Sequence, residues 1–298
     1  MSKLSVLVIC KNQKSISGKN YLCAINYNFI IFTKIFYMNV LHEQIGGVLK
    51  LSLNRPDKFN SFNRAMALEL QQQLDKAASD DSIRCVLLTA EGKAFCAGQD
   101  LSEATDPQGP GIKNIVVEHY NPIILKLRQL EKPVVCAVNG VAAGAGANIA
   151  LACDVVVAAQ SASFIQAFSK IGLIPDSGGT FFLPRIIGFQ KALALALLGD
   201  KITATDALQM GMIYKMIADE NLQNEAMLFA ETLANMPTKG LGLTKKLFNQ
   251  GTFNSLEEQL AAEGVEQIKA ASTYDYKEGV QAFLEKRKPD FNRFPKRP

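Results

Sequence analysis

One carboxylate stands apart in this chain. Asp176, in IPDSGGT, is the only acidic residue between Asp154 and Asp200. Phe164, Phe168 and Phe181 lie near it in sequence, and a carboxylate desolvated among such rings has its pKa raised toward the range useful for general acid–base work. Asp before Ser-Gly-Gly also suits the N-cap of a helix, so both readings stand at this stage. The chain holds two histidines, His42 and His119, which leaves Ser-His-Asp and Cys-His chemistry short of a base. Its six cysteines form no C-x-x-C pair. Neither a metal site nor a disulfide framework is expected, and reduced thiols fit a cytoplasmic protein.

Two small-residue segments supply the complementary chemistry. In KAFCAGQDL (93–101), the turn at Ala97-Gly98 allows peptide N–H groups to point outward, and Asp100 reads as the cap of a following helix. In NGVAAGAGANIALACD (139–154), Gly140, Gly144 and Gly146 alternate with alanines, and an apolar helix is expected to begin near Ala145. Helix N-termini carry unpaired donors and partial positive charge. Two such loops could hold one thioester oxygen between two N–H groups, which stabilises an enolate. The competing reading is close helix–strand packing. The spacing matches neither G-x-G-x-x-G nor a P-loop, which sets nucleotide binding aside.

The elements that must position these loops alternate. VLKLSLN (48–54), CVLLTA (85–90), VVCAVN (134–139) and DVVVAA (154–159) read as strands, with helical patterns at 63–80 and 113–130 between them. That alternation predicts an α/β fold. A helical tail follows from about 190 to 288, with amphipathic stretches at 220–235, 254–271 and 275–287. The expected division is an extension at 1–37, a core at 38–190 and a helical region at 191–298. Residues 1–37 carry five lysines and no acid, so removing them takes the net charge from +4 to −1. The near-neutral remainder gives a nucleic-acid reading little support; Lys245, Lys246 and the tail 286–297 supply only a small basic face. The extension lacks Arg, unlike a transit peptide, and its longest uncharged run, 20–33, is too short to span a bilayer. It is expected to contribute nothing to function, and no membrane partner is expected.

In order and spacing, LNRPDKFNSFN (53–63), KAFCAGQDL, VNGVAAGAGANIALACD and IGLIPDSGGTFFLPRIIG (171–188) resemble the crotonase, or enoyl-CoA hydratase/isomerase, superfamily. The resemblance runs from about Met38 to EGVQAFLEKRKPDF (278–291). It implies a crotonase-type repeated ββα spiral core, a C-terminal helical trimerisation region, and homotrimers or dimers of trimers. It implies an acyl-CoA substrate and no cofactor. The oxyanion hole would be formed by the N–H groups of Ala97 and Ala145. Coenzyme A would lie near Arg55, Lys58, Ala97, Gly98, Gln99 and Asp100, with Phe283 and Lys286 at its nucleotide end, often across a subunit boundary.

Hydratases of this superfamily hold water between two glutamates. The matching positions here are Asn148 and Phe168, neither of which accepts a proton from water, so a hydratase activity is not expected. With Asp176 as lone base, helped by Asn148, and Phe164, Phe168 and Phe181 around the acyl group, the resemblance is to isomerases. VNGVAAGAGA, FSKIGLIPDSGGTFFLPR and ALLGD most resemble the ring 1,2-epoxyphenylacetyl-CoA isomerases of phenylacetate catabolism, which make an oxepin-type product. Alternatives are a Δ3-Δ2-enoyl-CoA isomerase or hydratase-like enzyme of fatty-acid oxidation, a 4-chlorobenzoyl-CoA dehalogenase type with its nucleophile at Asp176, and an RNA-binding protein of the same fold.

Overall fold

Three consecutive repeats, each built from two strands and a helical segment, carry the candidate residues. In the computed structural model residues 38–291 are described, and these form one compact unit; the expectations for residues 1–37 lie outside them. The strands are β1 (Val40–Ile45), β2 (Val48–Leu53), β3 (Cys85–Ala90), β4 (Ala94–Cys96), β5 (Val134–Val138), β6 (Val141–Ala143), β7 (Val155–Ala159), β8 (Ser163–Ile165), β9 (Lys201–Thr203) and β10 (Lys215–Ile217). The first strand of each repeat joins a six-stranded sheet ordered β1-β2-β3-β5-β7-β10, and the second joins a four-stranded sheet ordered β4-β6-β8-β9. Within each sheet the repeat strands run parallel. The expected repeated ββα architecture is what the chain forms.

Burial accounts for the strand sequences. β3 and β5 are buried along their whole length, as unbroken apolar runs in a parallel sheet must be. The helix Arg64–Ser79 packs Met66, Leu70 and Leu74 inward, and Asn63 caps it by accepting from the Met66 N–H at 2.9 Å. Where the β5–β6 link passes the β3–β4 link, a Cβ on Gly140 would sit 2.1 Å from the Lys93 carbonyl oxygen, so only glycine fits.

Two expectations need correction. The helix predicted over 113–130 is three pieces: Gly111–Asn114, a π-helical stretch Ile115–Tyr120, and Asn121–Gln129. Pro122 has no N–H to offer the Glu118 carbonyl four residues earlier, and the Gln71 amide donates to that oxygen instead at 2.8 Å. The tail is also not purely helical. It holds the helices Leu222–Ala234, Thr238–Gln250, Leu256–Ala271 and Tyr274–Leu284, but β9 and β10 return to pair with β8 and β7. The change in character after residue 190 is therefore one of composition, not of packing. Arg84, buried on the strand side, donates to the carbonyls of Ala234 and Met236 at 2.6 and 2.7 Å and ties the last helices to the sheet.

Candidate active site

The two glycine-bearing loops meet. Gly98 has φ +93°, and a Cβ there would lie 3.1 Å from the Ala143 carbonyl oxygen and 3.8 Å from the Ala145 nitrogen. Gly146 presses on the other loop so closely that a Cβ would come within 2.5 Å of the Cys96 carbonyl oxygen. Ala145 opens the helix Ala145–Leu151, whose N-cap is Gly144 with no side chain over the end.

Which N–H groups are free differs from the sequence expectation. The Ala97 N–H donates to the Phe59 carbonyl at 3.0 Å, so it is committed to the fold and is no hole donor. Phe62 then brackets the next residue: its N–H donates to Gly98 at 2.7 Å, and its carbonyl accepts from Asp100 at 2.8 Å. In a parallel bridge of this kind the central residue turns its own N–H to the opposite side. Among the described residues the N–H groups of Gln99 and Ala145 have no acceptor, and they belong to the two loops in contact.

Asp176 follows in the third repeat. It is half-buried, and burial raises its carboxyl pKa above the ordinary value, partly offset by the Ser177 hydroxyl that donates to it at 2.9 Å. It does not cap a helix. The helix Gly179–Ile187 starts after Gly178 and has no side-chain cap. Ser177 and Gly178 both adopt left-handed φ, +51° and +75°, and a buried non-glycine held there stores backbone strain of the kind that gathers at functional sites.

Asn148 is fully buried and faces the protein on both sides. Its amide donates to the main-chain carbonyl of Asp176 at 2.8 Å, and its oxygen accepts from Gln166 at 2.8 Å. A Cβ on Gly179 would lie 2.3 Å from the Asn148 nitrogen. The amide expected to take part in catalysis is thus hydrogen-bonded to the protein's own groups.

The three phenylalanines part company. Phe168 lies against Gly144, with ring atoms 3.7 Å from where a Cβ would stand, and so borders the start of the 145–151 helix. Phe164 is buried in the core on β8. Phe181 turns to another cleft, where it meets Phe182 edge-on at 5.1 Å, stacks on Phe253 at 5.7 Å and lies under the Arg185 guanidinium at 3.8 Å. Phe164 is thus enclosed in the core, and Phe181 lines a cleft it shares with Gly178. Tyr120 was missed. It is fully buried, its hydroxyl donates to the Gln99 side-chain oxygen at 2.9 Å, and nothing in its local sequence singled it out.

Of the expected coenzyme A residues, Arg55, Lys58 and Ala97–Asp100 lie on two adjoining loops, while Phe283 and Lys286 lie elsewhere on the surface. Arg55 donates to Asp100 at 2.8 Å and to the Ser61 carbonyl, clamping two loops together. Asp100 caps Leu101–Ala104; burial alone would raise its pKa, but the Ser102 and Arg55 hydrogen bonds bring it below the usual value. Lys58 is exposed at the end of the turn Pro56–Lys58. Phe283 is 82% exposed and shares a surface cleft with Tyr276 and Phe291, while Lys286 follows with φ +54°. Lys245 is buried against Asp154 at 2.8 Å and Lys246 pairs with Glu266 at 2.8 Å, so neither presents an open basic face.

Four cysteines, Cys85, Cys96, Cys136 and Cys153, are free and buried, and burial pushes the Cys85 and Cys96 thiols up to about 12. Among the described residues no cluster of three His, Cys, Asp or Glu could hold a metal, and no helix is long and apolar enough to cross a membrane.

Residues 43–294 match the family model described as enoyl-CoA hydratase/isomerase. The chain is 50% identical over 248 residues to the 1,2-epoxyphenylacetyl-CoA isomerase of Escherichia coli K12, covering 82% of this chain and 95% of that protein. It is 37% identical over 258 residues to the trans-2-decenoyl-[acyl-carrier-protein] isomerase of Streptococcus mutans, covering 86% and 98%. Among solved structures, an enoyl-CoA hydratase from Bacillus anthracis superposes with TM-score 0.80 at 34% identity, covering 85% of this chain and 99% of the other. With the ββα repeats and the two facing loops already in place, these matches establish that the chain belongs to the enoyl-CoA hydratase/isomerase family and has the crotonase fold.

Proposed function

We propose that the protein is an acyl-CoA isomerase in which Asp176 moves a proton while the N–H groups of Gln99 and Ala145 hold the thioester oxygen. The observation that carries this is the half-buried Asp176 carboxylate, whose main-chain carbonyl is joined through Asn148 to the helix that begins at Ala145 and whose pKa burial raises. The two residues at the hydratase positions are Asn148, whose amide is spent on Asp176 and Gln166, and Phe168, an apolar ring. No side chain there can activate water, so the site suits proton transfer within one substrate.

The chemistry follows from the geometry. The carboxylate takes a proton from the carbon beside the thioester carbonyl, and negative charge moves onto the carbonyl oxygen. Two preorganised N–H donors stabilise that charge, and loss of one such donor typically slows turnover by roughly 10²–10³. The protonated Asp176 then returns its proton at another carbon. Its raised pKa favours both halves of the cycle near neutral pH.

The substrate we assign is 1,2-epoxyphenylacetyl-CoA, converted to its seven-membered oxepin isomer in phenylacetate catabolism. The 50% identity to a relative of that name supports it. A shift of a 3-enoyl to a 2-enoyl thioester would use the same enolate, and the relative named as a decenoyl isomerase favours this as a second activity.

The test is incubation with the epoxide and with a 3-enoyl-CoA in deuterated water. A migrated double bond, with solvent label at the carbon that receives the returned proton, is expected, and both are lost in Asp176→Asn. A hydrated product as the main outcome overturns the assignment.

A further inference from the structure

Gln99 is held at both ends of its side chain. Its oxygen accepts from the Tyr120 hydroxyl at 2.9 Å, and its nitrogen donates to Glu103 at 3.0 Å. Glu103 is itself anchored, accepting from the Arg64 N–H at 2.9 Å where the helix Arg64–Ser79 begins. Tyr120 is fully buried, and its ring packs on Phe62 at a centroid distance of 5.8 Å. Phe62 is the residue whose backbone brackets Gln99 through Gly98 and Asp100. One tyrosine thus meets the Gln99 side chain directly and the Gln99 backbone through its neighbour.

Tyr120 also ends the π-helical stretch Ile115–Tyr120, immediately before Asn121–Gln129. Single π turns inside helices re-aim side chains and recur at functional sites. Here the turn follows from Pro122, and the residue it delivers is the one that reaches Gln99. Burial, reinforced by the carboxylates of Asp176 and Glu103, holds the phenol well above its ordinary pKa, so it remains a donor.

We propose that Tyr120 is a positioning residue of the oxyanion hole, fixing the Gln99 peptide through its hydroxyl so that the N–H is aimed before substrate arrives. This rests on the hole assigned above. A peptide N–H aimed in advance stabilises developing charge without reorganising as the charge forms. Substitutions other than proline leave a backbone donor in place, so its side-chain support is the part of the hole that conservative mutation can reach.

The experiment compares wild type, Tyr120→Phe and Gln99→Met with phenylacetyl-CoA carrying 13C at the thioester carbonyl. The carbonyl stretch of the bound thioester reports polarisation by the hole. Wild type should shift it below the free value, and Tyr120→Phe should return part of that shift. Turnover should fall about tenfold, less than the roughly 10²–10³ of a lost donor, with KM changed less than about twofold. Gln99→Met breaks the same link from its other end, serves if Tyr120→Phe does not fold, and should show the same partial return. The double variant should lose no more than either single one, as expected for two residues in one chain of contacts. A full wild-type shift and turnover in both variants overturns the positioning role alone. Absence of any shift in wild type overturns the hole and this inference with it.

Discussion

The side-chain amide of Asn148 donates to the main-chain carbonyl of Asp176 at 2.8 Å, so the residue at a hydratase glutamate position holds the base by its backbone. The Asp176 carboxylate is left with the Ser177 hydroxyl as its side-chain partner. Fixing the backbone while leaving the carboxyl lightly solvated is what a proton shuttle requires.

Asp176→Asn should lower turnover by roughly 10²–10⁴, the usual worth of a general acid–base group. Acyl-CoA binding, measured by titration calorimetry, should change little. A variant retaining more than about a tenth of wild-type turnover would place the base elsewhere. Because Asp176 caps no helix, the loss cannot be assigned to a missing cap.

The same substitution has an opposite effect on stability. The folded pKa of Asp176 is raised, so the native state holds its proton more tightly than the unfolded chain does. Its contribution to stability is full below the unfolded value of about 3.9 and is lost as pH rises through the folded value. Asp176→Asn removes the penalty of a buried charge, so the variant should melt higher than wild type at neutral pH, and the two should converge in acid. Melting curves across pH check this; a variant less stable at neutral pH contradicts it.

Asn148→Ala should slow isomerisation without abolishing it, with no hydration of crotonyl-CoA in wild type or variant. It strands Gln166 and the Asp176 carbonyl, and an unsatisfied buried polar group costs about 1–3 kcal/mol. Chemical denaturation should show that loss. Crotonyl-CoA hydration at a rate comparable to isomerisation in wild type would contradict the whole reading.

Gly146→Ala should force the two loops apart. Its Cβ would lie 2.5 Å from the Cys96 carbonyl oxygen, which is backbone and cannot swing away. Overpacking of this kind costs about 1–3 kcal/mol, and turnover should fall more than KM rises. Wild-type turnover in Gly146→Ala would mean that the separation of the loops does not control the chemistry.

From its residues alone the chain determined its strands, their alternation with helices and the glycines of two loops; its resemblance to a family added the repeated ββα order and the replacement of both hydratase glutamates. These are readable because unbroken apolar runs, helix periods and glycine positions are local records of burial and backbone conformation. The partners of individual groups are not local. Ala97 and Gln99 are two residues apart in one loop, yet only contact with Phe59 and Phe62 decides that the first N–H is spent and the second is free. Phe168 lies against Gly144 while Phe181 stacks on Phe253, a residue of the turn between Thr238–Gln250 and Leu256–Ala271 that is distant in sequence. Asn148 turns inward because Gly179 leaves room for its amide to reach the Asp176 carbonyl. Tyr120 reaches Gln99 from the end of a π turn caused by Pro122, in a stretch whose periodicity predicts one continuous helix. Composition and spacing specify which residues are buried; only long-range packing specifies which donor each acceptor meets.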